Sequence, residues 1–182
     1  NGQNGNNTGL QTQQNLGYDV GFDWTPNNAF TLSATGFYEF FKNELVTQAT
    51  QAAGGITPPN ASYTFNAPKS EHRGVEIAAD WKFYPGWRFT AAYTYLDEVY
   101  TEYIENLTNG AVFSFNRAGN KIPGVSPNEL TARLGYDQMW GPLAGLGGFV
   151  EVQWKDSFYM DNANLLKAPG YELVNLNVHY KT

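Results

Sequence analysis

Few residues in this chain are of a type that does covalent or metal chemistry. There is no cysteine, and the two histidines are His72 and His179. Without thiols, disulfides and thiolate metal sites are excluded. Neither histidine has neighbours at metal-ligand spacing, and neither falls in a Ser/His/acid constellation. The stretch GPLAGLGG (141–148) lacks the Lys and Ser/Thr of a phosphate loop and reads as a turn. The residues therefore point to no enzymatic activity, no cofactor and no metal.

What remains is binding chemistry. YTFNAPKSEHR (63–73) offers Tyr63, Phe65, Lys69, His72 and Arg73. AVFSFNRAGNK (111–121) offers Phe113, Phe115 and Arg117, with Lys121 at its end. Rings among cations suit an anionic, partly aromatic small molecule, through stacking and cation–π contact. Two structural readings compete. Phe113 and Phe115 have the spacing of one strand face, and Arg73 has an acid, Glu71, two residues away. A net charge of −6 argues against nucleic acid as a partner.

These segments must be held by strands. NLGYDVGFDW sets Leu16, Tyr18, Val20, Phe22 and Trp24 against Gly17, Asp19, Gly21 and Asp23, a period of two. The pattern predicts strands near 16–24, 29–41, 74–83, 87–96, 129–138, 147–155 and 171–180. The intervening 42–73, 97–128 and 156–170 read as long connections, and TPNN, YPGW and WGPLAGLG as short turns. Aromatic content of 16% with a mean hydropathy of −0.45 suits alternating strands better than buried helices. No apolar run approaches the ~20 residues of a membrane helix.

Which way the aromatic face points follows from three features. No charge falls on the apolar parity of the seven predicted strands, counted from Val174 in the last. Short and long connections alternate. Aromatics gather where the apolar runs end: Trp24, Trp81, Trp87 and Tyr136 near the short turns, and Tyr38, Phe40, Tyr95 and Trp154 near the long connections. A transmembrane β-barrel requires all three. The expectation is thus an all-β, antiparallel transmembrane barrel, with Tyr18 and Phe22 towards lipid and Asp19 and Asp23 inside. The inward acids Asp19, Asp23, Glu76, Asp80, Asp137 and Glu151 are expected to be solvated or partly paired with Lys82, Arg88, Arg133 and Lys155. Two other readings stay open. One is a small stand-alone barrel serving as a passive pore or structural protein, with an eighth strand from residues 1–14. The other is a soluble carbohydrate-binding β-sandwich.

With the strands placed, the chain resembles the barrel of a TonB-dependent outer-membrane receptor. FTLSATGFYEFFKNELV (30–46), HRGVEIAADWKFYPGWRFTAAYTYLDEVYTEY (72–103), GNKIPGVSPNELTARLGYD (119–137) and APGYELVNLNVHY (168–180) carry the resemblance in order and spacing. It implies about seven strands out of a plugged barrel of about 22, from its C-terminal half, with the plug domain not in this chain and the last strands missing. It also implies active import of a scarce nutrient such as a ferric siderophore across the outer membrane of a Gram-negative bacterium. The implied partners are outer-membrane lipid, a ferric chelate, and the TonB complex acting through the plug.

Arginine at Ile77, on the lipid parity, is expected to cost about 2–4 kcal/mol when the complete protein folds into lipid vesicles. At the adjacent Ala78 the same change costs far less. Equal penalties in folding titrations would refute the assigned parity.

Overall fold

The computed structural model describes residues 9–49, 62–109 and 111–181. Among them it has β1 (Gln14–Asn27), β2 (Phe30–Ala49), β3 (Ser62–Tyr84), β4 (Trp87–Glu102), β5 (Ile104–Asn109), β6 (Ala111–Asn116), β7 (Asn128–Asp137), β8 (Leu146–Lys155), β9 (Phe158–Tyr159), β10 (Lys167–Ala168) and β11 (Tyr171–Tyr180). One antiparallel sheet runs β1-β2-β3-β4-β7-β8-β11, while β5 with β6 and β9 with β10 form separate pairs. The seven-stranded sheet does not close on itself: β1 and β11 are its edges.

The register carries one face unbroken across all seven strands. Trp24, Leu32, Ala79, Ala91, Ala132, Val152 and Val174 stand in one cross-strand row. The next row is Phe22, Ala34, Ile77, Tyr93, Leu130, Trp154 and Glu172. Because side chains alternate faces, one matched register fixes a whole apolar surface. The opposite parity runs Asp23, Ser33, Ala78, Ala92, Thr131, Gln153 and Leu173. Tyr18, Val20, Phe22, Trp24, Ile77, Val150, Leu176 and Val178 are all exposed, so the sheet buries no core between two layers.

The apolar band has an aromatic edge at the short-turn end. Trp24 meets Phe30 edge-on at 5.6 Å between ring centroids, and Phe30 meets Trp81 at 6.4 Å. The chain of rings continues through Phe83 (5.2 Å), Trp87 (6.1 Å) and Tyr136 (4.8 Å). Six rings from five strands thus touch in series. Towards the other end the band stops at the row Tyr18, Tyr38, Arg73 and Asp97, where charge enters the same parity. Charges are excluded from the apolar parity inside the band only; Glu71 and Glu172 share that parity at its margin.

Residues 42–49 and 62–73 are not the irregular connection that the periodicity suggested for 42–73; residues 50–61 lie outside the described residues. β2 and β3 stay paired from Lys42↔Lys69 to Ala49↔Ser62. The alternation is masked because Asn43 takes a left-handed conformation (φ 56°) near Pro68, and the side chains beyond them change face. Glu44 then reaches Ser70 and His72, which belong to the polar parity. Val46, Phe65 and Ala67 pack with Tyr100, Tyr103, Ile122 and Val125. This cluster is the described core, and it lies beyond the band rather than within it. The connections 97–128 and 156–170 likewise contain β5, β6, β9 and β10.

The turn Tyr84-Pro85-Gly86-Trp87 has proline where φ is preset and glycine at φ 82°, the pattern of a type II turn. A Cβ on Gly86 would strike the Asp137 carbonyl oxygen; one on Gly119 (φ 89°) meets nothing within 4 Å. Gly86→Ala is therefore expected to cost about 1–3 kcal/mol, and more than Gly119→Ala, in urea unfolding from vesicles. Equal losses would mean that the contact with Asp137 contributes nothing.

Candidate functional site

Two layers of polar side chains occupy the face opposite the apolar band. The first is a ladder of ion pairs within the sheet. Arg88 donates to Asp80 through Nε at 2.9 Å, and Arg133 to Glu151 at 2.9 and 2.5 Å. Gln153 (2.8 Å) and Asn175 (3.2 Å) also donate to Glu151, so this buried carboxylate is held by three strands. The Arg133 guanidinium lies 4.1 Å from the Phe149 ring centroid. Asp137 faces His179 at 2.7 Å and Lys181 at 3.0 Å. Of the pairings expected from the sequence, Arg88 and Arg133 find acids of the named set. Lys155 takes Glu129 instead, at 2.6 Å.

The second layer stands beyond the band, at the long-connection end. Tyr100, fully buried, donates its hydroxyl to Asn162 at 3.0 Å. Asn162 donates to Glu105 at 2.9 Å, and Glu105 accepts from Arg117 at 2.8 Å. Asn120 donates to the Asn162 carbonyl at 2.7 Å. One network therefore ties the β5–β6 hairpin, the 117–127 segment and the 159–167 loop to β4. Beside it lies a cavity of about 250 Å³ lined by Leu96, Glu98, Ile122, Phe158, Tyr159 and Lys167. The Lys167 ammonium sits 4.9 Å from the Tyr159 ring centroid, a cation–π contact.

His72 joins the strands just outside the band. Only 12% of its side chain is exposed. It faces Glu44 at 3.3 Å and Glu98 at 3.6 Å, and its ring packs on Phe41 at 4.4 Å between centroids. Burial pulls the imidazole pKa down, but the hydrogen bond to Glu44 and the charges of Glu98, Glu44 and Glu39 outweigh it, and the net shift is upward. Burial holds the Glu98 carboxyl above the usual carboxylate range against the pull of His72.

The residues singled out in the sequence do not converge on one site. Tyr63 is placed only by its backbone, opposite Gln48. Phe65 stacks on Tyr103 at 5.5 Å within the core cluster. Lys69 pairs with Glu102 at 2.6 Å on the surface. Arg73 stands on the outward parity and binds Asp97 at 2.9 and 2.6 Å, with Lys121 also on Asp97. It does not pair with Glu71, which takes the Tyr38 hydroxyl. Phe113 and Phe115 are exposed on β6, and Arg117 lies 4.9 Å from the Phe115 centroid while bound to Glu105. Sequence reading missed Tyr100, Glu105, Tyr159, Asn162 and Lys167. They come from two stretches, 100–105 and 159–167, far apart in the chain and with no shared spacing, so no linear signal joins them.

A family model described as TonB dependent receptor-like, beta-barrel, matches residues 1–182. Among solved structures, the chain is similar to the ferric yersiniabactin uptake receptor FyuA from Yersinia pestis, with TM-score 0.66 and 20% identity over 92% of this chain and 22% of that one. It is similar to the copper transporter OprC, with TM-score 0.69 and 14% identity over 96% and 24%. It is also similar to the siderophore receptor PiuA from Acinetobacter baumannii, with TM-score 0.64 and 22% identity over 92% and 22%. At such identities the likeness is one of fold, and the chain spans less than a quarter of each of these proteins.

A group whose folded pKa is raised stabilises the structure below its unfolded pKa, here ~6.5, and that contribution is lost as pH rises through the folded value. The β2–β3–β4 junction is accordingly expected to loosen as pH climbs from the unfolded value through the raised folded one. Amide exchange of residues 41–46 and 70–73, corrected for intrinsic rates, should accelerate in the wild type and lose that dependence in His72→Gln. Identical profiles in the two proteins would remove His72 from the junction's pH response.

Proposed function

We propose a transport role from one premise: the chain belongs to the TonB-dependent receptor β-barrel family. It is part of the wall of a Gram-negative outer-membrane receptor that imports a scarce nutrient, with a ferric siderophore as the substrate class. The apolar band faces lipid, the polar face lines the interior, and the end bearing the polar network is extracellular. Energy reaches the receptor from the TonB complex through a plug domain. The role involves binding and passage, without covalent chemistry on the substrate. The names of two similar structures, a ferric yersiniabactin uptake receptor and a siderophore receptor, support the substrate class.

The observation that carries this reading is the cavity beside Glu98. Leu96 and Glu98 have the polar parity, so the cavity opens on the interior side of β4. It presents two rings, Phe158 and Tyr159, and two lysines, Lys121 and Lys167, beside the one carboxyl of Glu98. That is a surface for an anionic, partly aromatic chelate. Exposed Phe113 and Phe115, with Arg117 beside them, extend the same chemistry along β6. Lys69 contributes at the rim, where its ion pair with Glu102 is in solvent and exchangeable, whereas Arg73 is engaged on the outward parity with the buried Asp97.

Lys167→Ala and Tyr159→Ala in the full-length receptor should each weaken ferric-chelate binding about tenfold, the effect of losing one charge-assisted contact worth ~1.5 kcal/mol. Heat-modifiable gel mobility should stay unchanged. Arg73→Ala, on the outward parity, should lose less. Affinity that survives the Lys167/Tyr159 double substitution would remove this cavity from the path. Uptake that persists without TonB would refute active transport.

A further inference from the structure

A groove lies on the apolar face, at the short-turn end, away from every residue given a transport role above. Its volume is about 590 Å³, inside the ~300–1,000 Å³ range of small-molecule sites. Trp87, Tyr136, Leu143, Leu146, Leu176 and Val178 form its walls. The register explains why it exists. In the row Trp87, Tyr136, Gly148 and Val178, a glycine stands where every neighbouring strand carries a side chain. The sheet surface therefore has a furrow between Tyr136 and Val178.

One wall is the turn between β7 and β8, and that turn is tightly held. Gln138 N donates to Leu146 O at 2.8 Å, Gly145 N to Gln138 O at 2.9 Å, and Leu146 N to Leu143 O at 3.0 Å. Lys181 N donates to Gly145 O at 2.8 Å, pinning the turn to the end of β11. Gln138 Nε2 donates to the Trp140 carbonyl at 2.6 Å. Yet Met139, Trp140 and Leu143 are each about 60% exposed. A hydrogen-bonded turn that keeps three large apolar side chains outward loses the ~25 cal/mol per Å² that burial would return. The loss disappears if the turn sits in the headgroup boundary of a bilayer, where tryptophan is favoured. The aromatic edge of the band runs directly into this turn through Trp87 and Tyr136.

We propose that this groove holds one acyl chain of a phospholipid of the leaflet facing the short turns, with residues 138–146 as a membrane-inserted wall. The occupant follows from continuity: the groove is a depression in the lipid-facing surface itself, and its lining is almost wholly hydrocarbon and ring. Occupancy would favour this spot, where a glycine interrupts the row and a rigid turn closes one side. The inference rests on the membrane reading above.

The test uses the full-length receptor, with phosphatidylethanolamine as the probe. Purified in mild detergent, the wild type should retain phosphatidylethanolamine in native mass spectrometry, and after delipidation should rebind it on titration. Val178→Trp fills the furrow with a side chain that suits the aromatic edge. It should lower retention about tenfold, with heat-modifiable mobility unchanged. Leu143→Asp, in the wall, should do the same, whereas Met160→Asp at the opposite end should not. A wild type that retains no phospholipid, or equal retention by the wild type and Val178→Trp, overturns the proposal. Absence of the wild type from the outer-membrane fraction would instead overturn the transport reading, so the two failures are distinguishable.

Discussion

The constraint on which the rest depends is that a bilayer offers no water to backbone amides. Every N–H and C=O within it must be paired inside the protein. Here the pairing is the cross-strand ladder, and its register is continuous from β1 to β11. Once the ladder is set, the period of two leaves no freedom over which side chain meets lipid. Ala79, Ala91 and Ala132 then align with Leu32 and Val152, although their strands lie far apart in sequence. The sheet has no core behind its apolar face, which is left exposed from β1 to β11.

The two ends of the sheet solve different problems. At the short-turn end, tight turns are enough, and the boundary is marked by touching rings. At the other end the chain must project beyond lipid, where alternation no longer suffices. Asn43 turns the side chains of β2 to the opposite face, and a small core forms around Tyr100. That core is unusually polar at its margins. Glu105, Asn162 and Ser126 are buried and hydrogen-bonded. Buried polar groups with partners define one arrangement of the covering segments more sharply than apolar contacts would. The result is a structured cap that can hold a small cavity with a set shape.

Charge follows the same division. On the polar face, Arg133–Glu151 and Arg88–Asp80 are cross-strand pairs whose arginines remain half exposed. They therefore add little to stability, and instead give that face fixed, alternating charge. In the cap the pair Arg117–Glu105 is largely shielded and serves to place β6. The outward Asp97, shared by Arg73 and Lys121, marks the level at which the apolar band ends.

The sequence by itself determined the sheet. Parity is a local property of a strand, so Tyr18 against Asp19, or Ile77 against Ala78, could be assigned without knowing any partner. The short turn at Pro85-Gly86 was legible for the same reason, its type II geometry only from the structure. The cap was not legible, because its order rests on contacts between distant segments. Tyr100 meets Asn162, and Lys167 meets Tyr159 across a loop that no spacing identifies. The aromatic–cation segments 63–73 and 111–121 were visible as composition. Only the tertiary structure could decide that Phe65 goes to a core, Arg73 to an outward ion pair and Arg117 to Glu105. For Arg73 and Arg117 the physical reason is an acid supplied by another strand, and for Phe65 it lies at Asn43, where one left-handed residue breaks the period of two. Beyond it, the face of a side chain depends on packing rather than on position in the chain.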